Sequence, residues 1–433
     1  SLPEKGDYFI EVETYAKASK DAGRPVTKEV EEKGHDIYAE QLTPAMKRPW
    51  AKKEFPVLAG WLAANEKPLA LLTAASKRPR RFDPLIPENG MVMAMLLPAV
   101  NQYREASAAL TVRAMLHLNE GKVDEAWKDL LACHRLARLA GQGPTLIDAL
   151  VALGVDWRAC GGDQRLLQHA RLTPTQIVRI RADLDKLPSL PKIVNTMNVG
   201  ERFMYLDSVG TVAREGFNSL MDIVGGPKPE GMLKSLLDSA AREAIDWDVV
   251  LRVGNTWYNR MADACGKPTR AERQVVLGKI DADLRKLATE AKDWKSLGLS
   301  MLYGPRCAIS ERIGQVFVSL FLPKAPPGSD AEDRGTTQFE LTKLGFALAA
   351  YHADHGTYSV KLAELVPKYV ARVPKDIFNA SDLHYRPEGD GYLLYSVGVN
   401  GKDDGGKGYD DRKEGEDWDD LAIRVPAATA QKQ

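Results

Sequence analysis

The strongest pattern in the chain is a series of apolar positions at helical spacing between residues 106 and 139. Small and apolar side chains recur every four residues from Ala106 to Leu118, which predicts one helix over Ala106–Asn119. Gly121 follows, and glycine suits the left-handed end of a helix. A second helix is predicted over Val123–Leu139, with apolar residues on two faces. The two elements predict an antiparallel helical hairpin.

Helical patterns extend from the N-terminal part of the chain to residue 322, and almost no segment alternates as a strand does. Further helices are predicted at Glu11–Ser19, Val57–Ala75, Thr145–Ala159, Thr175–Lys186, Met232–Val253 and Thr269–Trp294. The fold class is therefore mainly α. We expect an N-terminal helical segment over residues 1–90 and a helical body over 91–322, together an all-α bundle.

The pattern changes after residue 322. Prolines, glycine and serine crowd residues 323–333, which predicts a linker. Beyond it, a helix is predicted over Thr336–His355 and an antiparallel sheet from three short alternating segments. These segments are Leu383–Arg386, Tyr392–Ser396 and Leu421–Val425. The expected result is a small α+β domain over residues 334–426, followed by a disordered tail at 427–433.

Charge and cysteine content exclude some function classes. The 433 residues carry 59 basic and 59 acidic side chains, so the net charge of zero predicts no general attraction to nucleic acid. The four cysteines form no closely spaced pair, which argues against a zinc ribbon or a redox motif. They are expected to be buried free thiols, or to include one long-range disulfide if the chain is exported.

The longest apolar segment, Ile313–Leu322, is about half the length that a membrane-spanning helix needs and ends at Pro323. It is interpreted as a core helix. The chain begins at Ser1 without a methionine, so association with a membrane is expected only through a signal or anchor upstream of this sequence.

The most distinctive chemistry lies in a glycine-rich acidic loop after Tyr392–Ser396. Nine acidic side chains stand against three basic ones between Asp403 and Asp420. Oxygen ligands on a tight loop are what calcium requires, and the alternative is a solvated acidic segment. An EF-hand would place Asp403, Gly408 and Glu414 at its key positions. Its flanks should be helical, however, whereas here they are strand-like.

The C-terminal residues also resemble a known family. The order of a helix ending at Tyr351–Tyr358, then Leu365–Pro367, Val373–Asp376, Leu383–Tyr385 and Tyr392–Gly406 resembles the globular domain of the major pseudopilin of type II secretion. This resemblance implies a helix packed on a small sheet and a calcium ion in the loop after the Tyr-Ser-x-Gly strand. Residue by residue, it implies calcium ligands at Leu394, Ser396, Asp403, Asp404, Asp417 and Asp419.

Two weaker resemblances concern the helical part. The segment Ala114–Ala126 is similar to the turn of one tetratricopeptide unit, although no second copy follows at that period. The whole chain, with Leu96–Val100 ahead of the hairpin, is similar to large envelope proteins of planctomycete-type bacteria. That similarity implies an exported protein in the periplasm, cell envelope or cell surface, and it implies no activity.

Catalytic motifs are missing from the sequence: there is no nucleophile elbow, phosphate loop or HExxH pair. His352 and His355 are spaced for a zinc site but lack a third ligand nearby, and they are interpreted as a polar helix end. The leading hypothesis is a non-enzymatic, exported protein that binds a protein partner and carries a calcium-stabilised, pseudopilin-like domain. The alternatives are a hydrolase with its cleft in the helical body and a tetratricopeptide-like scaffold.

Overall fold

The computed structural model describes residues 41–83, 87, 92–94, 97–216, 245–292, 305–322 and 325–426. The predicted helix Glu11–Ser19 and the predicted tail 427–433 lie outside these residues. The first helices are α1 (Thr43–Lys47), α2 (Pro56–Ala64), α3 (Glu66–Ala75), α4 (Pro98–Asn119), α5 (Val123–Ala140), α6 (Leu146–His169) and α7 (Pro174–Asp185). Then come α8 (Ile193–Thr196), a π-helical turn (Met197–Glu201), α9 (Arg202–Glu215), α10 (Trp247–Cys265), α11 (Arg270–Lys292), α12 (Pro305–Phe321) and α13 (Ala325–His355).

The predicted helical hairpin is confirmed as α4 and α5. Gly121 joins them with φ +71°, a left-handed conformation that glycine adopts without strain. Buried residues cover two faces of α5, with Trp127 and Leu130 on one and Leu136 on the other. The next helix, α6, starts with a capping box in which the Thr145 hydroxyl oxygen accepts a hydrogen bond from the backbone N–H of Asp148.

The predicted helix Met232–Val253 is confirmed over residues 247–253, but its predicted end is wrong, and residues 232–244 lie outside the described part of the chain. Helix α10 begins at Trp247, where the side chain of Asp246 accepts hydrogen bonds from the next backbone N–H groups. It then continues through Gly254 to Cys265 instead of ending there. The reason is packing: Gly254 gives the ring of Tyr205 in α9 the space that a Cβ would occupy.

The predicted linker is also wrong over residues 325–333, which form the first turns of α13. Pro326 and Pro327 lie in the first turn of the helix, where a proline gives up no intrahelical hydrogen bond. Asp333 is buried there and accepts a hydrogen bond from Arg270 of α11 at 2.8 Å. Residues 325–333 are therefore a packed helix start, and the predicted helix Thr336–His355 is its C-terminal two-thirds.

The C-terminal sheet is confirmed. Its strands are β1 (His384–Glu388), β2 (Gly391–Ser396) and β3 (Leu421–Val425), antiparallel in the order β1-β2-β3. Tyr385 faces Leu394 across the first pair, and Leu394 faces Ile423 across the second. Strand β1 extends beyond the predicted segment Leu383–Arg386 to include Pro387, and an edge strand tolerates proline.

Two hydrophobic clusters form the interior. The first contains buried residues of α1–α7 together with α13, β2 and β3, and Phe346 of α13 stacks edge-on against Trp127 of α5. The second contains buried residues of α8–α12, centred on Tyr205, Tyr258 and Phe317. The core of the C-terminal unit is thus continuous with that of the helical body, and residues 325–333 join the two as a packed helix start.

The apolar segment Ile313–Leu322 is confirmed as a core element, with Phe317 and Val318 of α12 buried in the second cluster. Among the described helices, none is both long and apolar enough to pass through a bilayer. All four cysteines are free thiols: Cys133 and Cys160 are buried, Cys265 is partly buried and Cys307 is exposed.

Candidate functional sites

The acidic loop connects β2 to β3, so both of its ends are fixed by the sheet. Several of its glycines have positive φ, among them Gly398 at +68° and Gly406 at +78°. At Gly398 a Cβ would meet the backbone and carboxylate of Asp419, and at Gly406 it would meet Leu393. Glycine at these two positions therefore lets the loop fold closely over the end of the sheet. The strand-like flanks exclude an EF-hand geometry for this loop.

Asp419 organises the first turn of this loop. Its carboxylate accepts hydrogen bonds from the backbone N–H of Val399 at 3.0 Å and of Asn400 at 3.3 Å. Arg334 of α13 forms a salt bridge with it at 3.3 Å. Asp419 is buried and its charge is already matched, so in this structure it acts as a loop organiser that also joins the loop to α13.

Asp420 lies at the other side of the loop, where the charges of Asp403 and Asp404 act on it. The Asp420 Oδ2 atom accepts hydrogen bonds from the backbone N–H of Asp404 at 3.0 Å and of Gly406 at 2.8 Å. The Asp420 Oδ1 atom is buried and has no hydrogen-bond partner. Burial, together with the negative charges of Asp404 and Asp403, raises the pKa of Asp420 to about 7. The negative charge of Asp420 is therefore not compensated by a nearby positive charge among the described residues, and a bound cation would stabilise it.

The other residues implied by the resemblance have different surroundings. Leu394 and Ser396 belong to the central strand, where Leu394 is in the core and the Ser396 hydroxyl donates to Asp376 at 2.9 Å. Asp417 is exposed and pairs with Lys402 at 2.8 Å. The backbone N–H of Asp404 contacts Asp420, and the charges of Asp403 and Asp404 act on it. Within the described residues, however, these three carboxylates do not form a group whose oxygen atoms all lie within 4.8 Å of one another. The side chains of Leu394, Ser396 and Asp417 have other partners or surroundings.

Asp420 was the residue that the sequence did not single out as a ligand. It is one of nine similar acidic residues in the loop, and only its 3% exposure distinguishes it from the solvated ones. A signal was present, because Asp419 and Asp420 directly precede the apolar strand β3. That position ties both carboxylates to the edge of the sheet, where burial begins.

A second cluster of titratable groups lies inside the helical body. The His134 Nδ1 atom of α5 lies 2.6 Å from Oδ1 of Asp156, and its Nε2 atom lies 2.8 Å from Oδ2 of Asp163, both on α6. Arg138, one turn beyond His134, forms an ion pair with Asp156 and lies over the ring of Phe339, 4.8 Å from its centre. All of these groups are buried.

The cluster is electrically balanced. Burial opposes a charge on His134, but Asp156 and Asp163 outweigh it and raise the pKa of His134 to about 9. His134 and Arg138 are then two positive charges facing two carboxylates. Within the described residues, His134, Asp156 and Cys160 form the group whose potential metal-binding atoms lie within 4.8 Å of one another. Burial raises the pKa of Cys160 well above its usual value, and Arg138 already neutralises Asp156, so the group does not need a metal.

His352 and His355, considered above for zinc, are exposed at the end of α13. His355 stacks on Tyr351 with ring centres 4.2 Å apart, and His352 packs on Tyr358 at 4.5 Å. These contacts fit the interpretation of a polar helix end.

The third feature is a groove of about 1510 Å³ between α6, α13 and the acidic loop. Its floor is one face of α6, on which Leu150, Gly154, Trp157, Gly161 and Arg165 follow each other at helical spacing. The loop residues from Gly405 to Lys413 and from Trp418 onward form one wall. This groove is a large concave surface that solvent can reach, so a partner or ligand can reach it too.

No family model matches this chain, and comparison with curated proteins and with solved structures found no match either. The pseudopilin resemblance of residues 334–426 stays a prediction from the sequence.

Proposed function

We propose that this chain is a non-enzymatic, exported or envelope-associated protein that binds a protein partner and whose C-terminal unit is stabilised by calcium. The observation that carries the proposal is the buried, unpartnered Oδ1 atom of Asp420 beside the charges of Asp403 and Asp404. A cation at this point supplies the missing partner and removes the repulsion among the three carboxylates.

The donor set suits calcium. The side chains of Asp403, Asp404 and Asp420 offer oxygen atoms alone, and calcium prefers oxygen ligands from carboxylates and backbone carbonyls. Softer metals favour sulfur and imidazole ligands. The neighbouring imidazole, that of His384, lies 3.6 Å from Asp403 and stacks on the ring of Tyr395. We therefore assign the ligands to the carboxylates and not to this histidine. Asp403, Asp404 and Asp420 would hold the ion, which would have a structural role in fixing the loop on the sheet.

The binding role follows from the position of that loop. It forms a wall of the groove, so a cation that fixes the loop also fixes the shape of the surface offered to a partner. A hydrolase, the alternative, needs reactive groups in an accessible cleft. The best-defined titratable cluster, around His134, is fully buried and charge-balanced, which favours binding over catalysis. The other alternative, a tetratricopeptide-like scaffold, needs a concave surface built from several repeats. In this chain, the similarity to such a repeat is carried by one hairpin.

The calcium proposal is tested by calorimetry of the full chain, with calcium chloride or with a chelator. Free calcium at about 100 times its Kd stabilises a protein by about 2.7 kcal/mol, and we expect a clear rise in Tm. The Asp420→Asn variant should lose this rise. Asp390→Asn is the matched control, because Asp390 is exposed in the turn between β1 and β2. An unchanged Tm of the wild-type protein in millimolar calcium contradicts the proposal.

A further inference from the structure

The floor of the groove has an unusual shape around one tryptophan. Trp157 is 43% exposed and Leu150 is 39% exposed, although both are large apolar side chains. Gly154 and Gly161 lie one turn before and after Trp157 on α6, and a Cβ at either would meet nothing within 4 Å. The two glycines leave open space on both sides of the indole ring. The floor is therefore an apolar slot into which a side chain of a ligand fits.

One turn beyond Gly161 on the same face lies Arg165, and the negative charge that acts on it, that of Asp410, is beyond salt-bridge distance. Arg165 is partly buried, and none of the described carboxylates lies within salt-bridge distance of it. Its guanidinium donates to Oε1 of Gln168 at 2.9 Å, and Gln168 in turn donates to the backbone carbonyl of Arg424 at 2.8 Å. Gln168 thus links Arg165 to β3 and orients it. Burial lowers the pKa of Arg165, the sign of a positive charge short of stabilising partners.

The other charged side chains that line the groove are also mostly positive. Seven arginine and lysine side chains line the groove against four aspartates. Asp419 and Arg334 of this lining neutralise each other, and Arg386 and Arg424 both pair with Glu388, which lies outside the lining. Arg165, Lys407, Arg412 and Lys413 then stand against Asp410, Asp411 and Asp420, and the pKa of Asp420 is raised. On the loop wall, Arg412 stacks on Tyr409, 4.7 Å from the ring centre, and Lys413 is exposed. In a protein with no net charge, this groove is a locally positive surface that favours an anionic ligand.

We propose that the groove binds an extended acidic segment of a partner protein, with an apolar side chain beside Trp157 and a carboxylate on Arg165. A guanidinium pairs well with a carboxylate in two parallel hydrogen bonds. The floor from Leu150 to Gln168 is about 27 Å long at 1.5 Å per helical residue, which is the length of about eight residues of extended chain. The proposal rests on the proposed binding role and is independent of the calcium site.

A peptide fits this surface better than a nucleic acid strand does. Single-stranded nucleic acids are held by successive aromatic side chains on which bases stack. On the wall of this groove, the rings of Tyr409 and Trp418 already carry Arg412 and Lys407. The floor presents one exposed indole between two glycines, followed by an arginine two turns on. This arrangement fits a short peptide segment that carries one apolar side chain, placed beside Trp157, and one carboxylate, placed on Arg165.

The test is a selection of random octapeptides displayed on phage against the full chain, followed by fluorescence anisotropy with the most enriched peptide. We expect enriched sequences that combine several aspartates or glutamates with a large apolar residue. In the anisotropy assay, Arg165→Gln should weaken binding about tenfold or more, because a hydrogen bond to a charged group is lost. Trp157→Ala should also weaken it, and Gly161→Leu should block it by filling the slot.

Arg171→Gln is the matched control, because Arg171 is an exposed arginine just beyond the end of α6 and does not line the groove. It should bind the peptide as the wild-type protein does, and the Tm of each variant shows that it is folded. Several results overturn the proposal: no enrichment, enrichment of basic peptides, equal binding by Gly161→Leu, or tighter binding of an oligonucleotide of the same charge.

The assays are run both in calcium and in chelator, so that the two proposals fail separately. If calcium leaves the Tm unchanged while acidic peptides still bind, the calcium site is wrong and the groove is supported. If calcium raises the Tm and no acidic peptide binds, the groove assignment is wrong and the calcium site stands.

Discussion

The Nε2 atom of His134 lies 2.8 Å from Oδ2 of Asp163, with both side chains completely buried between α5 and α6. The other ring nitrogen faces Asp156, so the doubly protonated imidazole donates one hydrogen bond to each carboxylate, while Oδ1 of Asp163 is buried without a hydrogen-bond partner. The charged histidine therefore joins the two helices through the interior of the first hydrophobic cluster. Removing one partner of such a buried ion pair is strongly destabilising, because the remaining charge is buried without a counter-charge and without contact to water.

Replacement of His134 by glutamine should destabilise the protein strongly. It removes one positive charge from a buried group of four and leaves Asp163 without a counter-charge, which costs about 3–5 kcal/mol in comparable cases. Guanidinium chloride unfolding measures the change in the free energy of unfolding. The control is His355→Gln at the exposed end of α13, where we expect a change within about 0.5 kcal/mol. A loss below about 1 kcal/mol for His134→Gln would show that the network is not stabilising.

The same histidine should make stability depend on pH. Its pKa is raised from 6.5 to about 9, so the folded protein holds this proton more tightly than the unfolded chain does. The stabilisation is fully present below pH 6.5 and is lost as the pH rises through about 9. Chemical unfolding between pH 6 and pH 10 should show this decline in the wild-type protein. In His134→Gln the part of the decline due to this group should be missing, and an identical decline in both proteins would refute the assignment.

Asp420 should also make the free energy of unfolding depend on pH, but at lower pH than His134 does. Its pKa is raised from 3.8 to about 7, so the folded protein binds a proton there between about pH 4 and pH 7 that the unfolded chain has released. Without calcium, the free energy of unfolding should therefore fall as the pH rises through this window. Asp420→Asn should remove that fall. Calcium replaces the proton, so its stabilising effect on the wild-type protein should be larger at pH 8 than at pH 5; the reverse order would be inconsistent with a calcium site at Asp420.

Replacement by alanine should change the stability of the protein in opposite directions at two glycines that lie within helices. Gly254 of α10 faces the ring of Tyr205, which leaves no space for a Cβ. Gly254→Ala should destabilise the protein by about 1–3 kcal/mol, the usual cost of overpacking. Gly278 of α11 has nothing within 4 Å of the position of a Cβ, and Gly278→Ala should stabilise by about 0.5–1 kcal/mol. Thermal unfolding of both variants checks the pair, and equal signs would contradict the packing of α9 on α10.

Much of the fold follows from local patterns in the sequence. The α4–α5 hairpin and the three strands were predicted because apolar periodicity and turn residues act over a few positions. The start of α13 was missed for the opposite reason. Pro326 and Pro327 look like linker residues, and the interaction that holds them in a helix comes from Arg270, 60 residues away from Asp330. Such distant contacts leave no local pattern.

The candidate sites show the same limit. The acidic loop was visible as composition, but Asp419 and Asp420 differ from the other acidic residues of the loop in burial, which the sheet determines. The network of His134 was invisible because its partners Asp156 and Asp163 are 22 and 29 residues away and each looks ordinary in its own helix. The groove depends on α6, α13 and the loop meeting in space, so no segment alone indicated it.

The first hydrophobic cluster is assembled from two stretches of chain, one ending near Leu187 and one beginning near Phe339, with the second cluster built from the residues between them. Gln168 reaches Arg424 across 256 positions to join the two stretches. During synthesis, the apolar faces of α4–α7 must wait until the last strand has left the ribosome. A nascent or truncated chain that lacks β3 therefore leaves apolar surface of the first cluster uncovered, and exposed surface of this kind promotes aggregation.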